Sequence, residues 1–322
     1  MTATYTPMNK AQPPAGLLAP GSAAEQLAFQ GRPWSKLCSY LQRVSAAARE
    51  PLPQGAQQAL ARLRAAVERF GSPGTLRERL RQNPELLRAK APPDPGYIGL
   101  VWLAQSLHDD AQALASGLAS LAGKSDSSGL RALAEHAAAA MPRSGSVRAG
   151  LTELRAELLA AHAALAAEIP GLALQLQELQ VQSGRLAAEL ESIEAAIAKE
   201  SLLTPRKKKA ELEQRLEHAR ASAGSTSARA RELQAALATL EAIADDGNWL
   251  AAALDDLAAF LEAHRTAWRT VSSGLTELAT RASSEQLADE GWLRHALGGA
   301  PALEQWSAIA RAAQSFVAHA AS

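Results

Sequence analysis

Cysteine is nearly missing from this chain. Cys38 is the single one among 322 residues, so no internal disulfide forms and the fold does not rest on an oxidising compartment. Aromatic side chains make up only 4% of the residues and β-branched ones are few, which removes the types that favour strands. Neither charge is in excess: 33 basic side chains meet 33 acidic ones. A general nucleic-acid binder needs surplus Lys and Arg to neutralise phosphates, so that class is set aside. Long apolar runs are lacking as well. Charged or strongly polar residues interrupt every candidate of 18 or more, which argues against constitutive membrane residence and leaves conditional insertion of an amphipathic element open. Met1 to Pro20 has no continuous apolar stretch of the secretory kind, and residues 1–21 read as a disordered arm.

What abounds is alanine and leucine, both strong helix formers, so the expected fold class is all-α. Ser22-Ala-Ala-Glu25 has the form of a capping box and opens a first helix with Leu27, Trp34, Leu37, Leu41 and Val44 on its apolar side. Arg32-Pro33 is a candidate split, and Pro51 and Pro53 end it. Leu60, Leu63, Val67 and Phe70 mark a helix over 54–70, stopped by Gly71-Ser-Pro-Gly74, and a short helix near 75–80 follows. After Pro92 to Gly96, the stripe Leu100, Leu103, Leu107, Ala111, Leu114, Leu118 and Leu121 predicts a helix running to Gly123. A short Ala-rich helix over 130–141 then ends at Pro142 to Ser146.

From Leu151 the pattern becomes a strict heptad: Leu158, Leu165, Leu172, Leu179, Leu186 and Ile193 follow at intervals of seven. Ile169, Leu176, Leu190 and Ile197 complete an a/d seam. Thr204-Pro205 reads as an N-cap with proline at the first helical position, so the chain turns near Leu203. A return arm carries Leu212, Leu216, Ala219, Ala223, Thr226, Ala230, Leu233, Leu237, Leu240 and Ala244. Two facing seams joined by a tight turn predict an antiparallel coiled-coil stalk over 150–247. With arms of roughly 45 residues at about 1.5 Å rise, it would extend on the order of 70 Å, which makes the expected molecule elongated. A turn centred between Leu203 and Thr204 sets Ser183 opposite Gly224. Ser183-Gly184 then meets Ala223-Gly-Ser-Thr-Ser227, where both seams lose their large apolar residues, and Ile169-Pro170-Gly171 adds a kink in the first arm. Pro170, Gly171, Ser183, Gly184 and Gly224 are therefore the candidate hinges of a head hairpin at about 185–222.

Asp245 to Asn248 shifts the heptad phase. A new seam follows: Leu250, Leu254, Leu257, Leu261, His264, Trp268, Val271, Leu275 and Leu278. Then come Leu287, Trp292, Leu293 and Leu297, and a last helix with Leu303, Trp306, Ile309, Ala313 and Phe316. Trp249, Trp268, Trp292 and Trp306 lie in the C-terminal quarter, and Trp34 and Trp102 on N-terminal helices. A tail bundle built from both chain ends, 22–149 with 248–322, would bury them together.

Chemistry is harder to find. Gly117 to Ser125 resembles a phosphate loop but has one residue too many between its glycines and no preceding strand, so it reads as a helix end. The histidines are scattered with no metal-binding spacing, and they read as surface or tail residues. No G-x-S-x-G elbow exists, and Cys38 has no sequence-local partner. The pairs Asp109-Asp110, Asp245-Asp246 and Asp255-Asp256 read as solvated faces and caps. The reading is therefore a non-enzyme with no metal and no cofactor. Arg206-Lys207-Lys208-Lys209 is the informative charge feature, because cations in the first turn of a helix oppose its macrodipole. At a hairpin tip, these residues and the nearby Leu202 and Leu203 form a candidate contact with anionic headgroups, each cation contributing about 1 kcal/mol near such a surface. An ordinary solvated turn is the other reading.

A helical stalk, a hinged mid-chain head and a tail bundle ending in spaced tryptophans and Ile309 to Phe316 resemble the ClyA-like α-helical pore-forming toxins. Within them the layout is most similar to the B component of the xenorhabdolysin-type binary toxins. The resemblance implies a bacterial protein released without a classical signal peptide. It would assemble with a related long-helix A component into a ring on a target-cell membrane, and the head would rearrange at its hinges. Residues 185–222 depart from an apolar head in being rich in glutamate, including Glu189, Glu191, Glu194, Glu200, Glu211, Glu213 and Glu217. A cytosolic coiled-coil scaffold or adaptor explains the seams and the lack of catalytic residues equally.

Overall fold

The computed structural model describes residues 9–13, 17–18, 27, 32–47, 52–121, 127–199 and 206–321. Among them the chain is all-α, with one isolated bridge, Leu18 to Leu27, and no strand. The helices are α1 (Arg32–Ala47), α2 (Gln54–Phe70), α3 (Pro73–Gln82), α4 (Tyr97–Ser120), α5 (Ser128–Lys199), α6 (Arg206–Asp245), α7 (Gly247–Arg281), α8 (Ser284–Ala288), α9 (Glu290–Ala296) and α10 (Gly299–Ala321).

Local chemistry explains most boundaries. Gly71, at φ +83°, ends α2 in the left-handed conformation open to glycine. Ser72 then caps α3 by accepting from the Thr75 amide, and Pro73 fills the first turn, where a missing N–H costs nothing. Ser283 and Gln286 form a reciprocal capping box at α8, and the Asp289 side chain accepts from the Trp292 amide to start α9. Gly96 sits against the backbone of Phe70, where an added Cβ would lie 2.1 Å from the carbonyl oxygen. That contact seats the start of α4 on the end of α2. α1 begins at Arg32 with Pro33 in its first turn, so the described helix is not split there; the capping box at 22–25 lies outside the described residues.

α5 corrects one expectation. The break foreseen at Pro142 to Ser146 does not occur, and one helix of 72 residues runs through Pro142 and Pro170. A mid-helix proline costs about 3 kcal/mol. Buried seam residues on both sides, Ala140, Val147, Leu165 and Leu172, bury more than enough apolar surface to outweigh it. α6 and α7 are separated by the single turn residue Asp246, where the heptad phase shifts.

The chain forms two compact units. Unit 1 comprises 1–41, 66–158 and 248–322; unit 2 comprises 42–65 and 159–247. In unit 1, α4 is buried nearly all round, from Tyr97 through Leu107 and again at Ala111, Leu114 and Leu118, and packs along α10. Every apolar seam position foreseen in α7, from Leu250 to Leu278, is buried, His264 included. Trp268 and Trp306 stack with ring centroids 5.1 Å apart. The expected disordered arm does not hold for residues 9–13 and 17–18. Ala11 is buried and its carbonyl accepts from Trp306 Nε1 at 2.8 Å. Lys10 donates its amide to Ala296 (2.9 Å) and pairs its ammonium with Glu277 (2.6 Å). A buried indole N–H needs an acceptor, and a backbone carbonyl remote in sequence supplies it.

Candidate functional site

Unit 2 is the α5–α6 hairpin from Leu159 onward with residues 42–65 beside it. Two contacts define its antiparallel pairing. His162 Nε2 lies 2.8 Å from the Ile243 carbonyl near the base, and Arg220 Nη2 lies 2.8 Å from Glu194 Oε1 toward the far end. On α5 the buried or half-buried positions are Leu165, Ile169, Leu172, Leu176, Leu179, Leu186, Leu190, Ile193 and Ile197, and on α6 Leu212, Leu216, Ala219, Ala223, Thr226, Ala230, Leu233, Leu237, Leu240 and Ala244. These are the two seams expected from the heptads.

The seam narrows where small residues meet. Between Leu172 and Ile193 no α5 side chain is fully buried, and α6 contributes Ala219 and Thr226. Ser183 is half-buried, whereas Gly184 and Gly224 are exposed and an added Cβ at either would meet nothing within 4 Å. Gly224 thus does not occupy the inward position expected opposite Ser183. The inward stripe of α6 runs Ala219, Thr226, Leu233, Leu240, and Gly224, two residues before Thr226, points about 200° away. Pro170 and Gly171 are likewise exposed within an unbroken helix. At the tip, Leu202 and Leu203 lie outside the described residues. Arg206, Lys207, Lys208 and Lys209 form the first turn of α6, with Lys209 exposed.

Near its base the hairpin is more apolar than the sequence reading allowed. Among the described residues one helix, α5, is long and apolar enough by length and composition to cross a membrane, and 28% of the 18-residue stretch that qualifies is buried. From Leu158 to Gln177 the only charged side chain is Glu168. Alanines, an unpaired proline and one glutamate lower the peak of this run below the usual appearance of a spanning segment, which is why an unbroken-run criterion passed over it.

Unit 1 holds the buried titratable groups. Asp110, read from sequence as a solvated residue, is 4% exposed and receives Arg143 at 2.5 Å, with His136 Nε2 at 3.3 Å from its other oxygen. The hydrogen bond to Asp110 raises the His136 pKa against an opposing burial effect. His264, a position of the expected α7 seam, is buried between Phe260 and Trp268. Trp268 Nε1 donates to its Nε2 at 3.1 Å, leaving Nδ1 without a partner, and burial pushes its pKa down to about 4, with a smaller raising influence from Asp110 and a smaller lowering one from Arg143. His162 is the second correction: it is 7% exposed, and Gly247 packs on its ring. The heptad phase marked His264 as inward, whereas only proximity created by folding distinguishes Asp110 and His162, so no local signal marked those two. Burial raises the Cys38 thiol pKa, which makes it a poor nucleophile. Among the described residues no group of three His, Cys, Asp or Glu side chains is placed to hold a metal ion. A cleft of about 340 Å³ between α4, α9 and α10 is lined mainly by Leu118, Leu293, Leu297, Ala302 and Leu303, with Glu290 and Arg294 pairing at its rim. Gly117 lies within α4.

No protein-family model and no curated protein matches this chain. Among solved structures it is similar to the soluble AhlC of the tripartite α-pore-forming toxin AHL from Aeromonas hydrophila. That pair shares 12% identity and a TM-score of 0.46, over 85% of this chain and 96% of that one. A triple head mutant of the same AhlC aligns over 90% and 99% of the two chains at 12% identity and a TM-score of 0.39. The SmhB pore of the tripartite toxin Smh from Serratia marcescens aligns over 88% and 97% at 10% identity and a TM-score of 0.30.

Proposed function

We propose that this chain is a non-enzymatic subunit of an α-helical pore-forming toxin, released by a bacterium and assembled with a related long-helix partner on a target-cell membrane. The observation that carries the reading is the apolar stretch of α5, of a length and composition that cross a bilayer and only 28% buried in a hairpin with a thin seam. A soluble helix with no further role buries such a face. In this reading, 248–322 with the N-terminal helices is a tail bundle, 150–247 is the stalk, and the charged segment 185–222 is its head. Leu202, Leu203 and Arg206 to Lys209 meet anionic headgroups at the tip, and the chain flexes at Pro170, Gly171, Ser183, Gly184 and Gly224. The resemblance to xenorhabdolysin-type toxins makes the assembly binary, with this chain as the B component.

The test is dye release from anionic liposomes and lysis of animal cells by the purified chain, alone and mixed with the product of a neighbouring gene for a second long-helix protein. Detergent extracts are imaged by negative stain. Release with ring-shaped particles in the mixture supports the reading; intact liposomes and no oligomer under both conditions overturn it. A second reading, a coiled-coil scaffold, draws on the sustained heptads and predicts that overturning result.

A further inference from the structure

The two ring nitrogens of the buried His264 are unequally served. Nε2 accepts from Trp268 Nε1 at 3.1 Å, so the neutral ring carries its proton on Nδ1, which has no acceptor. A second proton can go only to Nε2, and two N–H groups would then face each other across that contact. The charged groups of the surrounding helices are already engaged. On α4, Asp110 meets Arg143 with one oxygen at 2.5 Å and His136 with the other at 3.3 Å, both from α5. Asp110 favours a charged ring, Arg143 opposes it, and burial outweighs both. His108 of α4 lies with its Nδ1 2.9 Å from the Ala310 carbonyl, and Glu304 and Arg311 of α10 are exposed. On α7 itself Glu262 pairs with Arg148, and Arg265, one residue on, projects about 100° away around the helix.

The contact at Nε2 is the first of a series that leads to the N-terminal segment. Trp268 stacks on Trp306 with centroids 5.1 Å apart, and Trp306 Nε1 donates to the Ala11 carbonyl at 2.8 Å. All three rings are buried in a close-packed interior, so Trp268 cannot turn from His264 without moving Trp306. Of the pieces that meet here, residues 9–13 are the least anchored. α4, α5, α7 and α10 are helices of 23 residues or more, whereas this segment is held by the Lys10 amide on Ala296, the Ala11 carbonyl on Trp306, and a partly exposed pair between Lys10 and Glu277. Its backbone runs over Gly274 of α7, where an added Cβ would lie 2.4 Å from the Lys10 carbonyl oxygen. We infer that residues 9–13 are a releasable strap: a proton on His264 displaces Trp268 and Trp306, detaches the strap and uncovers the groove of Gly274, Ala296 and Trp306. The sign follows from the ring's two environments. Enclosed, it titrates at about 4, against 6.5 for a ring in water, so docking is at full strength above pH 6.5. Below that, the ratio of released to docked chains rises by up to about tenfold per pH unit down to 4.

The test uses the full chain with Cys38→Ser and a fluorescent label on Gln12→Cys, a half-buried position of the strap. Between pH 7.5 and 4.5 the label's anisotropy should fall while helix content by circular dichroism stays unchanged. Hydrogen exchange of the Lys10 amide in the unlabelled chain, corrected for its intrinsic rate, repeats the measurement without a dye and should lose protection at least tenfold. His264→Gln keeps an acceptor for Trp268 Nε1 and removes the titration, so its strap should stay docked at both pH values. Should that variant already be undocked at pH 7.5, His264→Leu, apolar and equally without a proton to gain, is read in its place. Anisotropy and protection that do not change with pH overturn the strap. Release that is as large without the imidazole overturns His264 as its trigger, and release that comes only with loss of helix content is unfolding of unit 1 as a whole and overturns the strap as well. Liposomes and lysis play no part in these readouts, so the strap and the pore-forming reading stand or fall separately.

Discussion

The two compact units are built from different residues. The segments of unit 2, 42–65 and 159–247, contain no Phe, Tyr or Trp, and their buried side chains are leucine, isoleucine and alanine with Val44, His162 and Thr226. Unit 1 is held by large aromatic groups with specific polar attachments: Trp102 to the Ala89 carbonyl at 2.8 Å, Trp306 to Ala11, Trp268 to His264. Such attachments fix one arrangement, because each buried N–H left unpaired costs about 1–3 kcal/mol. In unit 2 the buried His162 ring makes one such attachment, to the Ile243 carbonyl, and the rest of the seam is closed by aliphatic packing.

The sharpest way to break this comparison is Trp306→Ala. Trp306 is fully buried, stacked on Trp268 and bonded to the N-terminal segment. Unit 1 should lose about 3–5 kcal/mol, read as a shift in the denaturant midpoint of tryptophan fluorescence. The six tryptophans all lie outside the segments of unit 2, so fluorescence reports unit 1, while circular dichroism reports both. Coincident loss of both signals at the same midpoint would show that the units are not independent.

Acid should act nearly as strongly on unit 1. His264 has its folded pKa lowered from 6.5 to about 4, so between these values the unfolded chain binds the proton and the folded one does not. Stability is therefore full above pH 6.5 and falls as pH drops toward 4, by on the order of 3 kcal/mol. His136, raised by Asp110, works in the opposite sense, adding stability at low pH that fades as pH rises through its folded pKa. Denaturant midpoints by fluorescence at pH 7.5 and 4.5 check the net effect, and His264→Leu should flatten the slope. A slope that survives that substitution places the proton elsewhere.

Gly184→Ala and Gly224→Ala sharpen the contrast from the other side. Each added methyl enters open space on a helix, so each should stabilise the hairpin by about 1 kcal/mol. Helix content should melt later with the fluorescence midpoint unmoved, and dye release should slow if these positions flex. The smallest effect belongs to Glu194→Ala, which removes an exposed pair with Arg220 and should cost under about 0.5 kcal/mol. A larger cost in a thermal melt would reveal a hairpin whose register depends on that one contact.

Much of the fold was legible in the sequence because heptad periodicity is a local property. The seams of α5, α6 and α7 place their apolar residues on one face whatever they pack against, and most boundaries follow from capping serines, aspartates and left-handed glycines. The local rules misled at Pro142, where a breaker was outvoted by seam burial on both sides. They were silent on Asp110 and His162, since an acid or imidazole on a helix looks the same whether water or an arginine 33 residues away receives it. For the candidate site, the inward stripes of the hairpin were readable, but the outward direction of Gly224 depended on how α6 turns against α5.

By itself, then, the sequence determined the helices, their apolar faces and the two-arm hairpin, because these depend on residues within a few turns of one another. Only the tertiary structure decided that residues 9–13 lie on α7 and α10, that 42–65 join the hairpin unit, and that Leu174 and Val181 stay uncovered. Those outcomes turn on which surfaces remain after distant segments have competed for the same apolar area, and that competition is settled by the whole chain at once.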